Sequence, residues 1–266
     1  MTAAEIVANA LAEDVGTGDV TTELCVPADR RAIARFIARE HAVLAGVQLL
    51  PLLYDDVEIS AANGSLLKPG DEIAIVRGSA RQLLTRERVS LNFLQHLSGI
   101  ATLARKFVDA VAGTKCRVLD TRKTTPGLRQ LEKDAARAGG ATNHRMGLYD
   151  AVLIKNNHIT AAGGVRAALE AARAAHLPVE IEVRTRAELD EALACGAKSL
   201  LLDNLTPAMA SEWIAHIAGR ATVELSGGIT LENARAYAEG GADFISSGAI
   251  THSAQAVDIH CRLELA

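Results

Sequence analysis

Residues 179–226 read VEIEVRTRAELDEALACGAKSLLLDNLTPAMASEWIAHIAGRATVELS, and their rhythm decides the fold. Three short apolar runs, Val179–Val183, Ser199–Asp203 and Thr222–Ser226, are separated by the helical stretches Arg186–Cys195 and Pro207–Ala218. Such runs suit parallel strands buried on both faces, and the alternation with helices predicts right-handed βαβ units. The pattern extends outward. Cys116–Asp120 and Ala151–Ile154 precede it and Phe244–Ser247 follows, with further helical stretches at Ala162–Ala175 and Leu231–Glu239. The period is regular: 21 residues from Glu182 to Asp203, 23 from Asp203 to Ser226 and 21 from Ser226 to Ser247. Every reactive-looking residue ends a strand, as ligand-binding residues do on the rim of an α/β barrel. An α/β barrel is the first reading, although six clear strands fall short of a complete eight-stranded one, and an open doubly wound sheet is the second.

The first half has a different texture. Ala3–Val15 reads as a helix ending at Gly16-Thr17-Gly18-Asp19, and Ala32–Glu40 alternates like a strand. Asn63-Gly64 and Pro69-Gly70-Asp71 mark turns between short strands. Two helices are expected around 80–96 and 100–112. This predicts an N-terminal α+β domain over 1–112, a catalytic α/β domain over 113–251, and a segment 252–266 that returns to the first domain through an edge strand at Val257–Leu265.

Composition narrows the function. The 266 residues are 49% hydrophobic, which is enough for one large or two modest cores. Aromatics make up only 3%, too few for the interleaved stacking platforms of single-stranded nucleic-acid binders. A pI near 6.1 also argues against nucleic acid. No apolar run reaches the ~18 residues of a membrane span, and the N-terminus lacks a basic leader region. The four cysteines, 25, 116, 195 and 261, are too scattered for a zinc site or a disulfide framework. Reduced, mostly buried thiols in a cytoplasmic protein are expected.

Charge points to the substrate. Residues 115–158 hold nine Lys/Arg against four Asp/Glu, a net of +5 in a chain of net −4. The pairs Arg122-Lys123 and His144-Arg145 suit a ligand with several anionic groups, because guanidinium grips carboxylate or phosphate with a planar fork and Lys adds a mobile charge. After the last two strands come Ser226-Gly227-Gly228 and Ser247-Gly248. Glycine admits an anion close to backbone N–H groups, and paired loops in this position form the usual phosphate grip of barrel enzymes. Glu182 and Asp203 end adjacent strands, where carboxylates hold Mg²⁺ through water or bind ribose hydroxyls; a plain ion pair to Lys155 or Lys123 is the alternative. His158, His252 and His260 read as structural or surface residues.

These motifs resemble a known family. Asp120-Thr121-Arg122-Lys123-Thr124-Thr125-Pro126-Gly127, Gly139-Gly140-Ala141-Thr142-Asn143-His144-Arg145-Met146-Gly147 and Ile154-Lys155-Asn156-Asn157-His158 look like those of quinolinate phosphoribosyltransferases. Glu13-Asp14-Val15-Gly16-Thr17-Gly18-Asp19 and Glu87-Arg88-Val89-Ser90-Leu91-Asn92 fit as well, so the resemblance covers nearly the whole chain. It implies a sandwich-like N-terminal domain beside an incomplete α/β barrel. It also implies homodimers with shared active sites, which could assemble further into hexamers. The implied reaction joins quinolinate to phosphoribosyl pyrophosphate with decarboxylation, requires Mg²⁺ and feeds de novo NAD synthesis.

Carried over by position, Arg122, His144, Arg145 and Lys155 would hold quinolinate, with Arg88 arriving from the partner chain. Lys123 and Lys155 would face the pyrophosphate, and Glu182 and Asp203 the ribose and Mg²⁺. Ser226, Gly227, Gly228, Ser247 and Gly248 would bind the 5′-phosphate. One departure stands out: relatives usually carry Asp or Glu where this chain has Asn156. Two other readings stay open on sequence alone, a phosphoribosyltransferase of the same fold with another acceptor and a non-catalytic phosphometabolite-binding protein.

Overall fold

A computed structural model describes all 266 residues. In chain order the elements are α1 (Ala3–Val15), α2 (Val20–Cys25), β1 (Arg31–Ala38), β2 (Ala42–Val43), a 3-10 turn (Val47–Leu49), α3 (Leu50–Leu53), β3 (Asp56–Ile59), β4 (Leu66–Leu67), β5 (Glu72–Ser79) and α4 (Ala80–Ala110). There follow β6 (Arg117–Leu119), α5 (Arg129–Ala138), β7 (Val152–Ile154), α6 (Asn156–Ala162), α7 (Val165–Ala172), β8 (Val179–Val183), α8 (Arg186–Ala194), β9 (Ser199–Asp203), α9 (Pro207–Ile217), β10 (Thr222–Ser226), α10 (Leu231–Glu239), β11 (Phe244–Ser246), α11 (Ala249–His252) and β12 (Ile259–Leu265). They form two compact units, one of residues 1–105, 124–140 and 250–266, the other of 106–123 and 141–249.

The first unit is built on a four-stranded antiparallel sheet in the order β12-β1-β5-β3, with β2 and β4 paired separately. β1 shows why it forms: Ala32, Ala34, Phe36 and Ala38 are buried in strict alternation with more exposed residues. α1 opens with a reciprocal cap, in which the Thr2 hydroxyl accepts from the Glu5 N–H and the Glu5 carboxylate from the Thr2 N–H. The two helices expected at 80–96 and 100–112 are one helix of 31 residues. Gly99, which looks like a break, is instead a close-packing position: a Cβ there would collide with the Gln255 carbonyl. Residues 124–140, assigned to the catalytic domain on sequence, pack within the first unit. The segment is pinned there by the fully buried Glu132, which contacts His96 Nε2 at 2.9 Å and accepts the Thr125 N–H at 3.0 Å.

The second unit is an all-parallel six-stranded sheet in the order β6-β11-β10-β9-β8-β7. From β7 to β11 each strand lies beside its predecessor, and β6 joins beyond β11. That is the cyclic order of an α/β barrel opened between β6 and β7. A doubly wound sheet would instead reverse direction at a switch point, so the second reading falls. One face is apolar: Ile181, Val183, Leu200, Leu202 and Ile245 are fully buried, as are Leu189 of α8 and Ala234 of α10. The opposite face carries Glu182, Leu201, Glu224 and Phe244 in one register row and Asp203 with Ser226 in the next. The helix expected at 162–175 is α7 and begins only at Val165, because Gly163 and Gly164 take φ values of +88° and +140° that end the preceding α6 at Ala162.

Candidate active site

The carboxyl ends of the strands in the second unit bring most of the expected site residues together. Lys155 follows β7 and precedes α6, and its N–H donates to His158 Nδ1 at 2.9 Å. His158 is therefore a capping residue. The Lys155 side chain is half exposed, with Nζ 3.7 Å from Glu182 Oε2. Glu182 is 4% exposed, and its Oε1 accepts from Arg184 Nε at 3.1 Å and pairs with Arg184 Nη2 at 3.0 Å. The plain ion pair considered for Glu182 is thus present, with a second cation added. Asp203, one strand further on, is half-buried and accepts from Asn204 Nδ2 at 2.6 Å.

The phosphate-type turns interlock with this rim. Asn204 is a non-glycine residue at φ +57°, and its N–H donates to the Ser226 carbonyl at 2.9 Å. Gly227 has φ +87°, and a Cβ there would lie 2.7 Å from Asn204 N. Only glycine satisfies both conditions. Ser247 is buried and donates its hydroxyl to the Ile229 carbonyl at 2.9 Å, tying one turn to the other. The Ser247 N–H is taken as well, by the Leu119 carbonyl at 3.3 Å. Gly228 is exposed and Gly248 buried.

The cationic wall is held by buried acids. Asp120, fully buried, accepts the His144 N–H at 2.8 Å and Asn143 Nδ2 at 2.6 Å. Arg145 donates Nη1 to the Ala151 carbonyl at 3.1 Å. Burial lowers its pKa first and the charge of Arg122 lowers it further, so the two guanidiniums lie within each other's field. Arg122 Nε is buried without a hydrogen-bond partner. The His144 Nε2 lies 3.2 Å from Glu224 and 3.5 Å from Glu180, while Nδ1 accepts the Arg145 N–H at 2.7 Å. Burial opposes a charge on this ring and the two carboxylates favour one, but the hydrogen bond received at Nδ1 keeps the ring neutral near neutral pH. The Arg145 N–H occupies the lone pair that a second proton would need.

Lys123, next to Arg122, is exposed. Arg88 stands exposed on α4 in the first unit. That unit also contains a cleft of about 520 Å³ bordered by Ile6, Val89, Phe93, His96 and Pro126. None of the expected site residues lines it. Sequence reading missed Glu180, Glu224, Arg184 and Asp150. A signal existed for the first two: an acid in the middle of VEIEV or TVELS, runs expected to be buried on both faces, demands a partner.

A parallel barrel-type sheet with cations, acids and glycine turns gathered at its carboxyl ends defines an α/β enzyme for polyanionic substrates. Comparison with known proteins makes that class specific. The family models for the N-terminal and C-terminal domains of quinolinate phosphoribosyl transferase match residues 19–98 and 100–262. The nicotinate-nucleotide pyrophosphorylase [carboxylating] of Mycobacterium leprae is 43% identical over 97% of this chain and 95% of its own length. The probable enzyme of that name from Bacillus subtilis is 41% identical over 93% and 88%. The crystal structure of nicotinate-nucleotide pyrophosphorylase from Ehrlichia chaffeensis superposes with a TM-score of 0.95 at 35% identity, covering 99% of each chain. The chain belongs to the quinolinate phosphoribosyltransferase family.

Proposed function

We propose that this protein transfers the phosphoribosyl group of phosphoribosyl pyrophosphate to quinolinate with loss of CO₂, yielding nicotinate mononucleotide and pyrophosphate in NAD biosynthesis. The observation that carries the reading is the pair Arg122 and Arg145. Two guanidiniums lie close enough to depress the pKa of one, and a buried Nε is left without an acceptor. Such an arrangement costs free energy in the free protein and is relieved by a dicarboxylate.

Arg122, Arg145 and Lys155 bind the quinolinate carboxylates, and His144 stands among them with both ring nitrogens engaged by protein. The pyridine nitrogen attacks ribose C1 as pyrophosphate departs, so positive charge grows at C1 and negative charge on the leaving group. Lys123 and Lys155 face that negative charge, and placement of charge rather than a strong base carries the step. The new pyridinium then accepts the electron pair released when the adjacent carboxylate leaves as CO₂. Gly227 and Gly228 offer backbone N–H groups to the 5′-phosphate, with Ser226, Ser247 and Gly248 shaping the turns.

The acids fit Mg²⁺ unequally. Asp203 is half-buried and accepts from the neutral amide of Asn204, and it suits a hydrated cation. Glu182 faces both Arg184 and Lys155, which makes it a holder of cations already present. When bound, Mg²⁺ supplies charge neutralisation to the pyrophosphate, and Asp203 would hold it. Glu182 keeps Lys155 aimed and faces the ribose hydroxyls. We further propose a cytoplasmic homodimer in which Arg88 of one protomer completes the site of the other; the four thiols without a disulfide support the compartment. Turnover of quinolinate with phosphoribosyl pyrophosphate, followed by CO₂ and pyrophosphate release with and without Mg²⁺, tests the reading. Absence of turnover in the presence of Mg²⁺ overturns it.

A further inference from the structure

Residues 143–147 form no helix or strand, yet each backbone N–H from 144 to 147 is taken by a side chain. Asp120 accepts that of His144 at 2.8 Å. Asp150 accepts those of Met146 at 2.6 Å and Gly147 at 2.9 Å. The Arg145 N–H is accepted by His144 Nδ1 at 2.7 Å. This places a requirement on the ring, because a nitrogen that accepts carries no proton. The neutral ring then has its proton on Nε2, which faces Glu224 Oε2 at 3.2 Å and Glu180 Oε2 at 3.5 Å. The carboxylates are themselves fixed: Glu224 is 3% exposed, and Glu180 Oε1 accepts the Ser199 hydroxyl at 2.9 Å.

Both ring nitrogens are therefore committed within the protein. His144, Glu180 and Glu224 lie close enough together to suggest a metal site, but a protonated Nε2 has no lone pair for a metal. Nor does the ring keep a free N–H for a substrate carboxylate. We propose that His144 is a positioning residue, which Glu224 and Glu180 hold in the Nε2–H tautomer so that Nδ1 fixes the backbone of Arg145 and thereby the aim of its guanidinium. The proposal rests on the reading of Arg145 as a quinolinate clamp, and it removes His144 from the residues that touch quinolinate.

Two conservative substitutions separate the roles, because an Asn side chain places its amide where Nδ1 stands and a Gln side chain where Nε2 stands. Under positioning, Asn keeps an oxygen for the Arg145 N–H and Gln does not. His144→Gln should then show a quinolinate KM about tenfold above that of His144→Asn, as expected for one lost ordering hydrogen bond, with the KM for phosphoribosyl pyrophosphate similar in the two. The reverse order, with Gln the milder change, would assign His144 to direct contact and overturn the proposal.

Glu224→Gln, which retains an acceptor for Nε2–H, should bind quinolinate more tightly than Glu224→Leu. Equal affinities count against the proposal. A spectroscopic test needs no variant to fold and no turnover: ¹⁵N shifts of the His144 ring in the free wild-type protein should report an unprotonated Nδ1 near neutral pH, and a proton on Nδ1 refutes the tautomer. If the wild-type protein fails to turn over quinolinate, the functional reading falls, while the ring measurement still decides whether His144 holds Arg145.

Discussion

Replacing Arg145 by Met should separate affinity from stability. In the free protein this guanidinium is poorly placed: burial and the charge of Arg122 depress its pKa more than the charges of Asp150 and Glu180 raise it, and a 3.1 Å bond to the Ala151 carbonyl holds the head group. At neutral pH the arginine is charged in the folded and the unfolded chain, so its cost to folding is constant across that range. Met keeps the apolar stem. Loss of the bond to Ala151 removes about 1 kcal/mol, and relief of the repulsion from Arg122 returns a similar amount. The expected change in unfolding free energy is about zero.

Binding responds differently. A half-buried charge pair with a substrate carboxylate is lost, worth about 2–3 kcal/mol at the low end of the range for desolvated pairs, or about 30- to 150-fold in Kd. Calorimetric titration with quinolinate and thermal unfolding of the same samples supply the two numbers. Weakened binding in step with a large fall in Tm would show Arg145 to be structural, and unchanged affinity would remove it from the site.

Asp203→Asn should raise the Mg²⁺ concentration needed for half-maximal rate and depress turnover, read from a Mg²⁺ titration; a normal titration returns Asp203 to a structural role. Asn156→Asp adds a negative charge beside Lys155 and should alter the rate or its Mg²⁺ dependence, whereas a steady-state profile like the parent's marks the position as neutral. Arg88→Ala and Lys123→Ala should each be nearly inactive, yet co-refolding them should restore about a quarter of parental activity if the sites are shared across a two-fold dimer. No recovery with heterodimers present would place Arg88 outside the partner's site. Burial raises the Glu132 pKa, but hydrogen bonds from His96 and Thr125 outweigh it and the net shift is downward. Its contribution to stability is therefore full above the unfolded carboxyl pKa of about 4.3 and is lost as pH falls through the lower folded value. Glu132→Gln should destabilise the protein at neutral pH, with the gap to the parent closing in acid; a gap independent of pH would mean that only packing was lost.

The sequence by itself determined the parallel sheet, the α1 boundaries and the rim. Those features are local: apolar runs of strand length at a 21- to 23-residue period, a reciprocal cap at Thr2 and Glu5, and strand-end residues whose position follows from chain direction. It also carried the family motifs, because Arg122, Arg145, Lys155 and the glycine turns are defined by residue type and spacing. Tertiary structure alone decided what depends on distant neighbours. Residues 80–112 read as two helices until the Gln255 carbonyl is seen to pack where Gly99 lacks a Cβ within one. Residues 124–140 read as part of the barrel until Glu132 finds His96. The partners of His144 are equally invisible in sequence: Glu180 and Glu224, 36 and 80 residues downstream, meet its Nε2, and its own neighbour's N–H takes Nδ1. Spacing can announce a cation, but a hydrogen bond is a matter of distance and of which atom holds the proton, and both are settled only when the strands pack.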